Sequence, residues 1–233
     1  MRASRTWIWK VTRLVPTVPR RRVTGKRAEL LSKLQSVSVR NMDLEGNEMG
    51  ADIAKEESDR QARRTPFETP VRLEALAEAL KINESITTID LHNSQIGAEG
   101  AKALAEALKI NASVTNIKLG SNKIGVEGTK ALAEALKINA SVTSIDLDRN
   151  AIGTEGAKAL AEALKINASI TEISLEHNDI GAEGAKALAA LKINASITEI
   201  SLEHNDIGAE GAKAKIHASI TKIFLQSNKI GAE

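Results

Sequence analysis

A block reading SITTIDLHNSQIGAEGAKALAEALKINE begins at Ser85 and returns, slightly varied, at Ser113, Ser141 and Ser169, each time after 28 residues. It returns again at Ser196 and Ser219, after 27 and then 23 residues. Residues 169–187 and 196–214 are the same letters, SITEISLEHNDIGAEGAKA, which points to recent tandem duplication. A repeat of this length constrains the fold more than any other feature of the chain. One such unit cannot bury its apolar face alone, so the units must stack and share a continuous core.

Each unit reads as a strand followed by a helix. In the first full unit Ile86, Ile89, Leu91 and Ile96 follow the spacing L-x-x-L-x-L-x-x-N-x-L, and Ile89-Asp90-Leu91 shows the two-residue alternation of a short strand. Gly97 breaks the run. Ala101, Leu104, Ala105 and Leu108 then fall at i, i+3, i+4 and i+7 on one helix face. An older copy lies upstream: Ser38, Val39, Met42, Leu44, Asn47, Met49 and Gly50 match the strand half, and the helix half resumes at Leu73. About residues 53–71 between them, charged and carrying Pro66 and Pro70, read as an inserted loop. The organisation is therefore a basic segment over 1–37, a degenerate first repeat over 38–84, and a solenoid over 85–233. That solenoid holds four near-full repeats, one contracted and one truncated. GAEGAKAKIHAS at 208–219 is too short for a full helix, which predicts a frayed C-terminus from about Ala209 or a chain that is part of something longer.

One position in each strand-following turn is Asn47, Asn122, Asn150, Asn178, Asn205 or Asn228, with Ser94 the exception. A buried column of amides pairing with turn backbone is the expected role. The pattern Val114-x-x-Ile117-x-Leu119-x-x-Asn122-x-Ile124-Gly125-x-x-Gly128-x-x-x-Leu132-Ala133-x-Ala135-Leu136 resembles the leucine-rich repeats of the ribonuclease-inhibitor type, and most of all those of NOD-like receptors. The resemblance covers about residues 38–233. It implies an α/β leucine-rich-repeat solenoid with a curved parallel sheet inside and helices outside. For function it implies only a range, since such proteins include inhibitors, immune sensors, cytoskeletal proteins and GTPase activators. No nucleotide-binding domain is visible, so the receptor role does not carry over.

Composition narrows the chemistry. There is no Cys, which rules out a disulfide framework and a cysteine nucleophile, and no Tyr, with only Trp7, Trp9, Phe67 and Phe224 aromatic. Base stacking thus lacks material, and no nucleic-acid partner is expected. No apolar run is long enough to cross a membrane. Residues 1–27 hold nine Lys or Arg and no acid, whereas the rest of the chain is net acidic. That segment reads as a disordered basic tail; its Arg-rich, acid-free composition also fits import into a mitochondrion or plastid, against a cytoplasmic default.

In this fold the exposed strand positions line the concave face in columns. Thr88, Asn116, Ser144, Glu172, Glu199 and Lys222 form one, and Asp90, Lys118, Asp146, Ser174, Ser201 and Phe224 the next. His92, Gly120, Asp148, Glu176, Glu203 and Gln226 form the third, and Asn93, Ser121, Arg149, His177, His204 and Ser227 the fourth. The excess of carboxylates makes an acidic groove suited to a basic protein segment. Glu176-His177 and Glu203-His204 fall one strand apart, a spacing that a transition metal could use, but they are copies of one block and no further ligand is evident. No cofactor or metal is expected. Asp146 and Asp148 share a strand face without a partner that would tune an acid and a base apart, so no enzymatic activity is expected. Arg149, the one Arg after residue 85, is the only candidate for a GTPase-activating role. Five Asn-x-Ser sequences, at Asn83, Asn111, Asn139, Asn167 and Asn194, follow Lys-Ile at helix ends and read as left-handed caps. The resulting expectation is a protein–protein interaction scaffold with an acidic concave face. The alternatives are a GTPase regulator and a partial duplicate of a larger receptor-like protein.

Overall fold

The computed structural model describes residues 7–8, 40–46, 70–190, 194–213 and 220–231. The inserted loop and most of the basic segment lie outside them. Eight short strands run parallel in sequence order: β1 (Trp7–Ile8), β2 (Asn41–Asp43), β3 (Thr88–Asp90), β4 (Asn116–Lys118), β5 (Ser144–Asp146), β6 (Glu172–Ser174), β7 (Glu199–Ser201) and β8 (Lys222–Phe224). Between successive strands from β2 onward stand α1 (Pro70–Leu80), α2 (Gly97–Leu108), α3 (Gly125–Leu136), α4 (Gly153–Leu164), α5 (Gly181–Ala189) and α6 (Gly208–Ala212). Pro70, read from the sequence as part of the insert, instead opens α1, where its missing N–H costs nothing.

The strands pair in strict register, so that Met42, Ile89, Ile117, Ile145, Ile173, Ile200 and Ile223 form one column. Those from Ile89 to Ile200 point into the core and are essentially inaccessible. Each helix contributes the expected face: in α2 Ala101, Leu104, Ala105 and Leu108 are fully buried. Alanine and glycine at the facing positions bring neighbouring helices close. A Cβ added at Gly128 in α3 would lie 2.9 Å from the Ala101 Cβ and 3.2 Å from the Ala98 Cα of α2. This approach explains why a core without large rings is well filled.

The Asn column supplies the polar half of the stacking. Asn150 donates through Nδ2 to the carbonyls of Leu119 and Leu147, both at 2.9 Å, and its Oδ1 accepts from the backbone amides of Asn122 at 3.0 Å and Ile124 at 3.3 Å. Each such amide therefore ties its own turn to the turn of the preceding repeat. Ser94, the exception, compensates in part by donating to the Leu44 carbonyl at 2.9 Å.

Three expectations are corrected. The Lys-Ile-Asn asparagines are not left-handed caps; none of them has positive φ. They form a second buried column instead. Asn139 donates to the carbonyls of Leu108 and Asn111 and accepts from the amides of Ser141 and Val142. An exposure of only 5–6% makes these asparagines structural. Positive φ falls instead on turn residues after each strand, such as Asn93, Ser121, Arg149, His177 and His204, where the chain leaves the sheet. The C-terminus does not fray at Ala209: α6 is indeed cut to five residues, yet β8 still pairs with β7 and Asn228 is buried. The hydrogen bonds of the turn column hold the strand half in place without a full helix behind it. The basic segment, finally, is not a disordered tail throughout, since Trp7–Ile8 pairs in parallel with β2 at the edge of the sheet.

Candidate functional site

The register places the first two concave columns as the sequence predicts. Thr88, Asn116, Ser144, Glu172, Glu199 and Lys222 align across neighbouring strands, as do Asp90, Lys118, Asp146, Ser174, Ser201 and Phe224. The third column follows the strands and the fourth sits in the left-handed turn at the rim. What differs among these side chains is what already holds them.

At the N-terminal end Asp90 and Lys118 pair with each other. Asp90 accepts from its own turn amide, His92 N, through Oδ1 and from Lys118 Nζ at 2.9 Å through Oδ2. That pairing raises the Lys118 ammonium above its ordinary value, through the hydrogen bond first and the Asp90 charge second. Asp43, Glu45 and Asp90 bring three carboxylates within 4.8 Å, but Lys118 already meets one of them and nothing marks the group as a metal site. His92 leans over Gly120: a Cβ there would lie 2.5 Å from its Nδ1.

The middle of the groove is a hydrogen-bonded acidic strip. Asp146 Oδ1 accepts from the Asp148 amide at 2.9 Å, and Asp148 Oδ1 accepts from Ser174 Oγ at 2.6 Å and from the Glu176 amide at 2.9 Å. Glu176 in turn accepts from Ser201 Oγ at 2.9 Å. Burial pushes the Asp148 carboxyl above its usual range and the Asp146 charge adds to this, while the Ser174 hydrogen bond opposes it. A carboxyl raised in this way binds its proton more readily folded than unfolded, so folding gains as pH falls through its folded pKa. Asp148→Asn, which keeps both acceptor contacts, is therefore expected to raise the melting temperature at neutral pH. That gain should shrink as the solution is acidified, which thermal unfolding across pH will show.

Toward the C-terminal end the carboxylates of Glu172 and Glu203 hold no ion pair or hydrogen bond among the described residues, whereas Glu199 is paired to Lys222 at 2.9 Å. On the rim the His177 and His204 rings stack with centroids 4.1 Å apart, and Arg149 Nη2 lies 3.3 Å from His177 Nε2. Stacked rings spend their faces on each other, and the two Glu–His rows bring no third ligand within reach among the described residues. Phe224 stands 38% exposed on β8.

Sequence reasoning missed two features. Ser174 and Ser201 are what anchor the acidic strip, and their signal was the change from Asp to Ser at that strand position in the duplicated repeats. Ile82, Ile110, Ile138 and Ile166 are 57–63% exposed along one edge; their signal was the invariant Lys-Ile-Asn at a position outside the apolar pattern.

A stacked array of strand–turn–helix units with a parallel concave sheet and a column of turn asparagines is a leucine-rich-repeat solenoid. A family model described as the TMOD/LMOD leucine-rich domain matches residues 64–176, and a leucine-rich-repeat model matches 167–189 and 194–214. Among solved structures, one titled Leiomodin-1 Actin-Binding Site 2 is similar with a TM-score of 0.54 and 20% identity, over 76% of this chain and 88% of that one. The tropomodulin C-terminal domain of Caenorhabditis elegans is similar with a TM-score of 0.54 and 14% identity, over 71% and 90%. At such identities the likeness is one of fold. No curated protein matches the sequence. No helix among the described residues is long and apolar enough to cross a membrane.

Proposed function

We propose that the chain is a protein-binding scaffold whose concave face offers a strip of carboxylates to a basic segment of its partner. The observation that carries this reading is the cluster of acids on β5 to β7 and the turns after them. Asp146, Asp148, Glu172, Glu176, Glu199 and Glu203 face one groove, and only Glu199 among them has a cationic partner in the described residues. A partner supplying Lys or Arg would gain complementary potential and faster association. The match to the TMOD/LMOD leucine-rich domain supports the same class of role. Affinity capture with the full chain tests the proposal: Glu172→Lys, Glu176→Lys and Glu203→Lys together should abolish capture, and retention should weaken with added salt. Unchanged partners after that reversal would sink the acidic-face reading.

The comparisons favour a definite partner as a second reading. The TMOD/LMOD match and the fold likeness to the leiomodin-1 actin-binding site make actin the first protein to try. Cosedimentation with filamentous actin decides it, because a chain that stays in the supernatant at all tested concentrations is not an actin binder of this kind.

A further inference from the structure

The two rings of the His177–His204 stack each use one face on the other, and their outer faces have different neighbours. The rings come from the same turn position of successive repeats, with centroids 4.1 Å apart and planes 8° from parallel, so the stack runs along the solenoid. Toward the preceding repeat, Arg149 Nη2 meets His177 Nε2 at 3.3 Å. A guanidinium only donates, so that imidazole is neutral and accepts. Toward the following repeat the same turn position is Ser227, which is exposed and too small to cover a ring. The outer face of His204, itself an exposed residue, is therefore open among the described residues. One residue earlier stands Glu203, whose carboxylate has no ion pair or hydrogen bond among the described residues. The lysines of the next repeat do not take it, because Lys222 is paired to Glu199 at 2.9 Å and Lys229 to Asp206 at 2.6 Å.

We infer that His204 and Glu203 form an arginine-selective site on this rim. A guanidinium of the partner's basic segment lies flat against the outer face of His204, over Ser227, and gives its N–H groups to the Glu203 carboxylate. The inference rests on the reading of the concave face as a site for a basic segment, and it chooses between the two cations such a segment can carry. Shape makes the choice. A guanidinium is planar and weakly hydrated, stacks on aromatic rings, and carries paired N–H donors that match a carboxylate. An ammonium is a compact, strongly hydrated charge that gains from Glu203 but nothing from a ring face. The other carboxylate without a partner offers no such surface, since Glu172 lies between Ser144 and Glu199 in its column.

The probes are fluorescein-labelled nona-arginine and nona-lysine, titrated into the full chain at one salt concentration and followed by anisotropy. Nona-arginine should bind about fivefold tighter or more. His204→Asn removes the ring and suits the backbone, because Asn93 holds the same turn position at φ 53°. In that variant the arginine-to-lysine ratio should fall to about one, while nona-lysine affinity changes less than about twofold, which also shows the variant to be folded. Glu203→Gln should weaken both peptides. An arginine preference that survives His204→Asn, or none in the unaltered chain, overturns the inference and leaves the basic-segment reading standing. Failure of both peptides to bind overturns that reading and this inference with it.

Discussion

Asn150→Ala is expected to cost about 4 kcal/mol, since each buried polar group left unpaired costs about 1–3 kcal/mol. The amides of Asn122 and Ile124 lose their acceptor at once, while the carbonyls of Leu119 and Leu147 each keep a bond from a neighbouring asparagine, Asn122 and Asn178. Both amides belong to a turn with no sheet partner able to take over, and Asn150 is fully buried, so water does not replace its side chain. In a chain of this size the melting temperature should fall by roughly 10 °C. Circular dichroism during heating measures it. Asn150→Ser should lose less, because Ser94 already shows a hydroxyl keeping one bridge to the preceding repeat. If the two variants melt together, the bridging role is wrong.

The second large effect is expected at Gly128. A methyl group there would lie 2.6 Å from Ile124 Cγ2, 2.9 Å from Ala101 Cβ and 3.2 Å from the backbone Cα of Ala98. The last two contacts are on α2, and Ala98 Cα cannot rotate away, so α2 and α3 must move apart. Overpacking of this kind costs about 1–3 kcal/mol, and the better helix propensity of Ala returns up to about 1 kcal/mol. Gly128→Ala should thus be destabilised by about 2 kcal/mol at most after that offset. Gly156→Ala meets Thr129 side-chain atoms at 3.2–3.4 Å instead of backbone, and should cost less. Urea denaturation of the pair gives the order directly, and the reverse order would contradict the close helix approach.

The strand–helix alternation, the isoleucine column and the buried turn asparagines are legible in the sequence because each obeys the repeat period. The shortened α6 is legible too, since missing residues cannot form turns of helix. The backbone of the Lys-Ile-Asn loop is not: an asparagine at a helix end fits a left-handed cap or an inward-facing amide equally well, and only the neighbouring carbonyls of Leu80 and Asn83, which receive Asn111, decide between them. The persistence of β8 was missed for a related reason, because its bonds run sideways to the preceding repeat rather than along the chain. Within the groove, the sequence placed the acids in columns but could not rank them. Asp90 and Glu199 are engaged by lysines on neighbouring strands and Asp148 by Ser174, whereas the Glu172 and Glu203 carboxylates have no ion pair or hydrogen bond among the described residues. That distinction depends on which side chain stands one strand away.

Among the described residues acids stand both on the concave face and on the helices, and the claim that the concave face binds the partner can be read from them directly. Carbodiimide labelling of carboxylates, compared between the free chain and the chain loaded with a captured partner, reports each acid separately. The account predicts that labelling of Asp146, Glu172, Glu176 and Glu203 falls severalfold, while Glu106, Glu134 and Glu162 on the helices are labelled as before. Protection of the helix glutamates with the groove still fully labelled would contradict it.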